Sequence, residues 1–600
     1  MKKQRKCALL LLLVMCMWIV AGCASGEKPE DAGQATATIA PTEASTDADA
    51  TATEAPVATA EPTSTPVPTA TPAPTATPEP TATPEPTKVP LPVEGTLTGY
   101  DAHELASGMI IGWNLGNTLD SHGDGITYDS APAKAVKMWG NEEPTKELFE
   151  AVKAAGFNAV RIPTTWYQHM KYDEAQDKYV IQEEWMSYVK QTVDYAYDLN
   201  LFVILNVHHE DDWVNVGQFT EEAYETSSKV MADVWGQIAE TFAEYDQHLV
   251  FEAMNEPRQT GLGSAVEWGS GDAVSHKYLN DMNRVMVTTV RGQGSEANKE
   301  RLIMLPGYAA SSQIASVKAI AVPEDGGNIA LSVHAYFPYC FAMDTSDMAN
   351  HEFPGRSGYG ENYEASIITL FRQLKEVSEE KGVPVILGEC GASDFDNTDS
   401  RARWATYYLT KAKEAGIPCF FWDNQVTFNG TGEAYGLIHR KTYTWFPNSV
   451  PVVEAAMKVY GQESVLPVYT EPEKKPFDWT EVAIEEDWVE LFRSEEGYAL
   501  AEWGNYCLSG WKPYISEEYD IILLYQSESE PYMVLQGGWH KVFASEDSNN
   551  PYMLRFTFDD VMNTMQAENV KVEDMVNYFA SASQKTMDLY GVYAVPVKED

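Results

Sequence analysis

Basic residues are scarce in this chain: 42 Lys and Arg stand against 89 Asp and Glu in 600 residues, a formal net charge of -47. So acidic a surface repels nucleic-acid phosphates, which excludes nucleic acid as a partner and favours a neutral or cationic one. Cysteine is equally sparse, at 7. No C-x-x-C pair and no His/Cys metal spacing occurs, so neither a zinc site nor a dense disulfide framework is indicated. The first strand-like run of the globular part is not followed by a Gly-rich phosphate-binding turn, which counts against an open doubly wound sheet. No motif calls for a cofactor or a catalytic metal.

What is present begins with an address. Met1-Lys-Lys-Gln-Arg-Lys6 is a basic start, and residues 8–20 form an apolar run, too short to span a bilayer by the usual count of roughly 20 residues. The run ends in Val20-Ala-Gly-Cys23, which resembles a bacterial lipobox. That resemblance implies a lipoprotein signal peptide over 1–22, lipidation of Cys23, and an otherwise soluble protein tethered to the outer face of the membrane. An ordinary secretory signal with an incidental Cys is the alternative. Residues 23–95 are rich in Thr, Pro, Ala and Glu, with a Thr-Pro-Glu-Pro repeat clearest at 77–86. Having almost no large apolar side chains, this segment cannot offset its ordering entropy and is expected to be a disordered stalk. At about 3.1 Å per residue in polyproline II it could reach ~200 Å. Cys7 and Cys16 leave with the signal, and Cys340, Cys390, Cys419 and Cys507 remain; three of these four lie in apolar stretches and are expected to be buried.

Over 96–462 strand patterns alternate with helix patterns. Strands are expected at 108–115, 159–163, 202–208, 249–254, 302–306, 329–335, 385–388 and 419–422. Helices are expected at 145–155, 185–200, 221–244, 276–291, 311–320, 363–381, 401–415 and 452–460. Eight alternations over this length predict a closed (β/α)8 TIM barrel.

Barrels of this kind gather their chemistry at the C-terminal ends of the strands. Those ends read Trp113-Asn-Leu-Gly-Asn-Thr-Leu-Asp120, Val160-Arg-Ile-Pro163, Asn206-Val-His-His-Glu210, Met254-Asn-Glu-Pro257, Val333-His-Ala-Tyr336, Gly388-Glu-Cys-Gly391 and Phe421-Trp-Asp-Asn424. Taken singly, Arg161 could be a buried ion pair, His334 a satisfied core histidine and Trp422 a core cap. Taken jointly, and with two glutamates emerging from apolar runs, they suggest acid and nucleophile chemistry on a glycosidic bond. The adjacent His208 and His209 are residues of a metal-ligating type, yet neighbours on a strand face opposite ways and no carboxylate completes a recognisable set.

These motifs, with Trp139-Gly-Asn141 and Gly436-Leu-Ile-His-Arg440, resemble glycoside hydrolase family 5, the cellulase family, and within it the subfamily 4 endo-β-1,4-glucanases, from Gly112 to about Tyr460. Cys390 and Phe421 depart from the family pattern. The resemblance implies a retaining endo-β-1,4-glucanase acting on a β-glucan polysaccharide, with Glu389 as nucleophile and Glu256 as proton donor and then base. Arg161 is placed to keep Glu389 ionised and Tyr336 to hydrogen-bond it. By the resemblance Asn255 holds the sugar 2-hydroxyl, His334 orients Glu256, and His208 lines the cleaved subsite. Trp422 forms an apolar platform, while His209, Asn117 and Asp120 bind hydroxyls farther along the cleft. Xyloglucan, mixed-linkage glucan and mannan remain open as substrates, as does a non-catalytic surface glycan-binding lipoprotein. A monomer is expected.

Residues 463–478 read as a second linker. Beyond them, 479–600 is predicted to be a β-rich module, a sandwich, with a late helix over 561–582 and five tryptophans, Trp479, Trp488, Trp503, Trp511 and Trp539. These aromatics either stack on carbohydrate from an exposed face or fill a small core; both readings stand.

Overall fold

The computed structural model describes residues 95–597 apart from 211–212, 215, 217–219, 429–431, 472–476, 528, 537–539, 545–549, 551, 568–570, 572–573 and 584. The leader, Cys23, the Thr/Pro-rich segment to residue 94, part of the 463–478 linker and Trp539 lie outside the described residues.

Eight parallel strands close into a barrel: β1 (Gly112–Asn114), β2 (Ala159–Ile162), β3 (Phe202–Asn206), β4 (Leu249–Glu252), β5 (Ile303–Ser311), β6 (Ile329–His334), β7 (Val385–Cys390) and β8 (Cys419–Phe421). Gly112 of β1 pairs with Ala159 of β2 on one side and Phe420 of β8 on the other, which is the closure. Helices α1 (Lys146–Ala154), α2 (Glu183–Tyr197), α3 (Glu221–Thr241), α4 (Ala273–Gly292), α5 (Ile314–Ala319), α6 (Tyr363–Lys381), α7 (Thr398–Ala415) and α8 (Val450–Tyr460) follow the strands in turn. Local sequence sets their starts. Thr145, Thr220, Asp272 and Asn362 each accept a backbone N–H of the first turn with the side chain, a cap typically worth ~1 kcal/mol.

Strand alternation sorts the side chains into two shells. Val160, Val203, Leu205, Phe251, Leu331 and Leu387 pack outward against the helices. Ala159, Ile204, Val250, Met304, Ala330, Ile386 and Phe420 point into the barrel, where Leu105 and Ala106 of the helix Ala102–Gly108 close its lower end. The eight expected strands are all present, though β1 is shorter than 108–115 and β5 longer than 302–306. An unanticipated hairpin, Met170–Asp173 with Lys178–Ile181, extends the loop after β2. Cys340, Cys390 and Cys419 are buried and Cys507 is exposed. Among the described residues no helix is long and apolar enough to cross a membrane.

The C-terminal region has two four-stranded antiparallel sheets. Its strands are β9 (Val489–Leu500), β10 (Asn505–Cys507), β11 (Tyr519–Ser527), β12 (Tyr532–Gln536), β13 (His540–Val542), β14 (Met553–Phe556), β15 (Asn577–Ser581) and β16 (Met587–Pro596). They are ordered β9-β16-β11-β14 and β10-β15-β12-β13, with Leu523, Met533, Leu535, Leu589 and Val592 in one core. The expected helix over 561–582 needs correction. A helix, α9, covers Phe558–Ala567, but Asn577–Ser581 is a strand. Tyr578 and Ala580 enter the core while Phe579 does not, an alternation of period two rather than 3.6.

Candidate active site

The site is built directly on the apolar filling of the barrel. Counting two residues up each strand from that layer keeps the side chain pointing inward. The step leads from Gly112 to Asn114, from Ala159 to Arg161, from Ile204 to Asn206, from Val250 to Glu252 and from Ala330 to Ser332. All five of these upper residues are wholly buried, and buried polar groups persist only when they bond one another. Arg161 does most of the joining. Its Nε and Nη2 lie 2.8 and 2.7 Å from Glu252 Oε2, and Nη1 lies 3.0 Å from Asn114 Oδ1. Asn206 Nδ2 and Ser332 Oγ donate to the two oxygens of Glu252 at 3.0 and 2.5 Å. At Gly388 any larger residue would intrude, since a Cβ there would stand 3.1 Å from His334 Nε2 and 3.2 Å from Glu252 Oε1.

On this polar floor stand the two expected carboxylates. Glu389, in β7, accepts from Arg161 Nη1 at 2.6 Å on one oxygen and from the Tyr336 hydroxyl at 2.8 Å on the other. Glu256, in the turn after β4, has one oxygen 2.8 Å from His334 Nδ1. Ligand-type atoms of Glu256, His334 and Glu389 all lie within 4.8 Å of one another. Asn255 Oδ1 accepts from Arg161 Nη2 at 2.8 Å, which leaves its amide NH2 as a donor for a ligand.

Electrostatics follow from burial and pairing. Burial works against the charge on Arg161, but Glu252 and Glu389 overcome it and hold the guanidinium charged. Burial likewise opposes the charge on His334, yet Glu389, Glu252 and Glu256 push its pKa up to about 9. For Glu252 burial favours the neutral acid, and Arg161 and His334 reverse that to about 2. Two cations and two anions thus balance beneath Glu256. Burial pushes Tyr336 well above its ordinary range, with Glu389 adding to the effect, so its hydroxyl remains a donor.

The walls are aromatic. Trp422 lies nearly parallel to His208, 8° between planes and 6.0 Å between centroids. Gly116 is required opposite, because a Cβ there would come within 2.6 Å of the Trp422 ring. Burial holds His208 well below its ordinary value and His209 at about 3, so both rings are neutral. His209 packs beside Trp139 and His122.

Two expectations need revision. Asp120 was expected to bind a sugar hydroxyl, but it is wholly buried and its oxygens accept from the backbone N–H of Asn117 and Thr118 at 3.0 and 2.7 Å. It shapes the turn that carries Asn117, whose φ is +56°. His208 and His209 do not diverge to opposite faces. The chain leaves β3 at Asn206, and ligand atoms of both histidines come within 4.8 Å of each other and of Asp120. The Asp120 carboxylate is already engaged by two backbone donors, so the trio is accounted for as a turn and a wall.

Glu252 is the functional-site residue that the motifs did not reveal. Parity could have found it, since Val250 lies in the barrel interior and Glu252 is two residues on. Ser332 lies outside the motifs for the same reason, whereas Asn114 and Asn206 stand within them but were assigned no role.

One oxygen of Glu256 lies within 4.8 Å of one of Glu389, on the short side of the roughly 6.5–9.5 Å that leaves room for a water between paired carboxyls. Residues 119–427 match the model of the cellulase family, glycosyl hydrolase family 5. The chain is 38% identical over 380 residues to endoglucanase A of Clostridium longisporum, covering 63% of this chain and 69% of that protein. It is 38% identical to endoglucanase A of Ruminococcus albus, covering 59% and 92%. Among solved structures, a GH5-4 broad specificity endoglucanase from Ruminococcus flavefaciens aligns with a TM-score of 0.55 at 39% identity, over 61% of this chain and all of that one.

Proposed function

The chain belongs to the cellulase family, glycosyl hydrolase family 5, and on that premise we propose that it is a retaining endo-β-1,4-glucanase cutting internal bonds of cellulose or a related β-glucan. The observation that carries the reading is the carboxylate pair: Glu389 held by Arg161 and Tyr336, and Glu256 held by His334, with oxygens within 4.8 Å.

A Glu389 oxygen attacks the anomeric carbon. The bond to the leaving glucosyl oxygen breaks as Glu256 delivers a proton to it, and a glycosyl ester forms on Glu389. His334, whose Nδ1 lies 2.8 Å from one oxygen of Glu256, positions that carboxyl for the transfer. Ester formation removes the negative charge of Glu389, so Glu256 turns from acid to base, takes a proton from water, and the resulting hydroxide displaces Glu389. Asn255 donates to the 2-hydroxyl and Trp422 supports the apolar face of the sugar. Double displacement predicts a β-anomer as the first product from a β-glucan. Proton NMR of the first turnovers checks this, and an initial α-anomer refutes the assignment. With both carboxylates and their partners in place, a non-catalytic glycan binder is the weaker reading. Reducing-sugar assays on carboxymethylcellulose, barley β-glucan, xyloglucan and glucomannan rank the substrates.

We also propose that Cys23 is lipidated and that 23–95 holds a monomeric enzyme off the bacterial surface. The lipobox-like Val20-Ala-Gly-Cys23 supports this. Incorporation of a clickable palmitate, lost in Cys23→Ser, tests it.

A further inference from the structure

The chain does not hang free where it leaves the barrel for the C-terminal module. At the lower end of the barrel, where α1 gives way to β2, the Val465 N–H donates to Ala154 O at 2.8 Å. Farther on, the Tyr469 N–H donates to Trp445 O and the Trp445 N–H to Pro467 O, both at 2.7 Å, so that Val468 pairs in parallel with Trp445. Trp445 belongs to the hairpin of Ile438–His439 with Thr444–Trp445. Arg440, in its turn, donates to Gly116 O and Asp423 O at 2.8 and 2.6 Å, at the upper ends of β1 and β8. Residues 465–469 therefore climb from the lower end of the barrel to the end that carries the catalytic pair. There Tyr469 lays its ring on that of His439, 28° between planes and 4.3 Å between centroids.

That path starts the module from the catalytic end. Phe477 already belongs to the module, stacked on Tyr590 of β16 at 3.9 Å, and the step from Tyr469 to Phe477 can span at most ~29 Å. A second contact shows which part of the barrel the module meets. In the turn between β15 and β16, Lys585 Nζ donates to Thr427 Oγ1 at 3.3 Å, in the loop that follows β8. The turn is itself tied down: the Lys585 N–H donates to Ser529 Oγ at 3.1 Å and Ser527 Oγ to Thr586 O at 3.0 Å. The charge of Lys585 is also felt at His439, whose Nδ1 lies 2.7 Å from Thr442 Oγ1. Burial, then Lys585 and Lys441, hold that imidazole at about 4. The stacked ring and the hydrogen bond thus fasten two separate parts of the chain to one patch of the barrel.

The loop after β8 is built to carry a displacement at Thr427 into the cleft. Its neck is closed: the Gly436 N–H donates to Val426 O at 2.7 Å, and Asn424 Oδ1 accepts from the N–H of Val426 and Tyr435 at 3.1 and 3.3 Å. Asn424 Nδ2 adds a bond to Glu433 O at 2.8 Å. Thr427 is the first residue beyond that neck. One arm of the neck leads back to Trp422, the wall beside His208. The other carries Tyr435, whose ring lies 5.2 Å from that of Tyr336, the residue that donates to Glu389. Glu433, between them, is held above its ordinary range by burial and by the charges of Glu256 and Glu389, so the loop borders the reacting carboxylates. A lysine on a surface is ordinarily a solvated charge of little energetic consequence. Lys585 is partly buried and spends a hydrogen bond on a neutral hydroxyl of a cleft loop.

We propose that the C-terminal module braces the cleft: seated on the upper end of the barrel, it fixes the β8 loop through Lys585 and so sets how tightly the cleft holds a glucan. The glucan rests on the endoglucanase reading. Lys585 is a positioning residue, so binding responds to its loss while the chemical step does not. In the full chain, Lys585→Ala and Thr427→Val are each expected to raise KM for barley β-glucan about three- to fivefold with kcat unchanged. The double variant should do no more than either alone, and Lys585→Arg should keep the parent KM. An unchanged KM in both single variants overturns the proposal, as do additive effects or a fall in kcat at constant KM. Histidine NMR from pH 7 down to 3.5 gives a second readout that needs no substrate. His439 is expected to titrate at a higher pH in Lys585→Ala than in the parent, and an unchanged titration overturns the docking. If Lys585→Ala does not fold, Lys585→Gln and Thr427→Val decide. If the chain hydrolyses no β-glucan, the endoglucanase reading fails while the His439 titration still judges the docking.

Discussion

The barrel and the C-terminal module obey the same alternation of side chains along a strand, yet they distribute their unusual residues in opposite ways. In the barrel every inward polar residue above the apolar filling converges on one point, because a closed sheet has a single interior. In the module each sheet has two faces and only one of them is core. Its tryptophans accordingly scatter: Trp511 is buried in the inter-sheet core, Trp479 and Trp488 pack over the first sheet, and Trp503 stands exposed. A polar residue at a barrel strand end therefore says where it will lie, whereas an aromatic in a sandwich does not.

If convergence makes the barrel residues a unit, breaking the unit at its reacting member gives the largest effect. Glu389→Gly is expected to lower kcat by ~10⁴-fold or more with azide restoring turnover as a glycosyl azide, since a small nucleophile fits where the carboxylate stood. Rescue by azide at Glu256 but not at Glu389 would exchange the two roles. The next effect tests whether the polar floor and the reacting pair are coupled. Arg161→Lys replaces a planar fork serving Glu252, Glu389, Asn114 and Asn255 with a point charge. Both kcat/KM and stability are expected to fall, stability by up to about 3–5 kcal/mol if a buried carboxylate is left unpaired. A variant of normal melting temperature would mean that the floor tolerates disorder the structure does not suggest.

Much of this was legible in advance, and the exceptions share a cause. The eight strands and the pair Glu256 and Glu389 stand out because apolar runs end abruptly in polar motifs. Glu252 escaped notice because it lies within such a run, where one carboxylate reads as the solvent side of a strand rather than as the partner of a buried arginine. The hairpin at 170–181 has short strands with little apolar content and gave no periodic signal. Strand β15 was absorbed into a helix because Asn577-Tyr-Phe-Ala-Ser581 follows a helical stretch closely, and only pairing with β10 and β12 reveals its period. Asp120 shared a motif with Asn117, and sequence cannot say which of two polar neighbours holds a turn.

A smaller effect separates the charges of the site by pH. His334, at about 9 against an ordinary 6.5, contributes its full charge-linked stability below pH 6.5 and loses it as pH rises through 9. Glu252, at about 2 against 4.5, contributes fully above pH 4.5 and loses it as pH falls through 2. The His334 contribution is on the order of 3 kcal/mol. Melting of wild type and His334→Gln between pH 6 and 9.5 should show a gap that narrows towards the alkaline end. A gap independent of pH would mean that His334 is neutral and its role is packing.

The smallest effect bears most directly on the contrast between the two regions. In the module, Trp511→Ala is expected to cost about 3–5 kcal/mol, as for a buried aromatic, whereas Trp503→Gly should not destabilise. The φ of Trp503 is +58°, which glycine adopts without the Cβ penalty, although it adds entropy to the unfolded chain, so the net change should lie between zero and a gain of about 1 kcal/mol. Calorimetry of the full chain, following the module's transition, distinguishes the two positions. A loss comparable with that of Trp511→Ala would show that the Trp503 ring packs, and the module would then hold all its described tryptophans for structure. A neutral or stabilising change leaves the left-handed backbone at Trp503 without a purpose in folding.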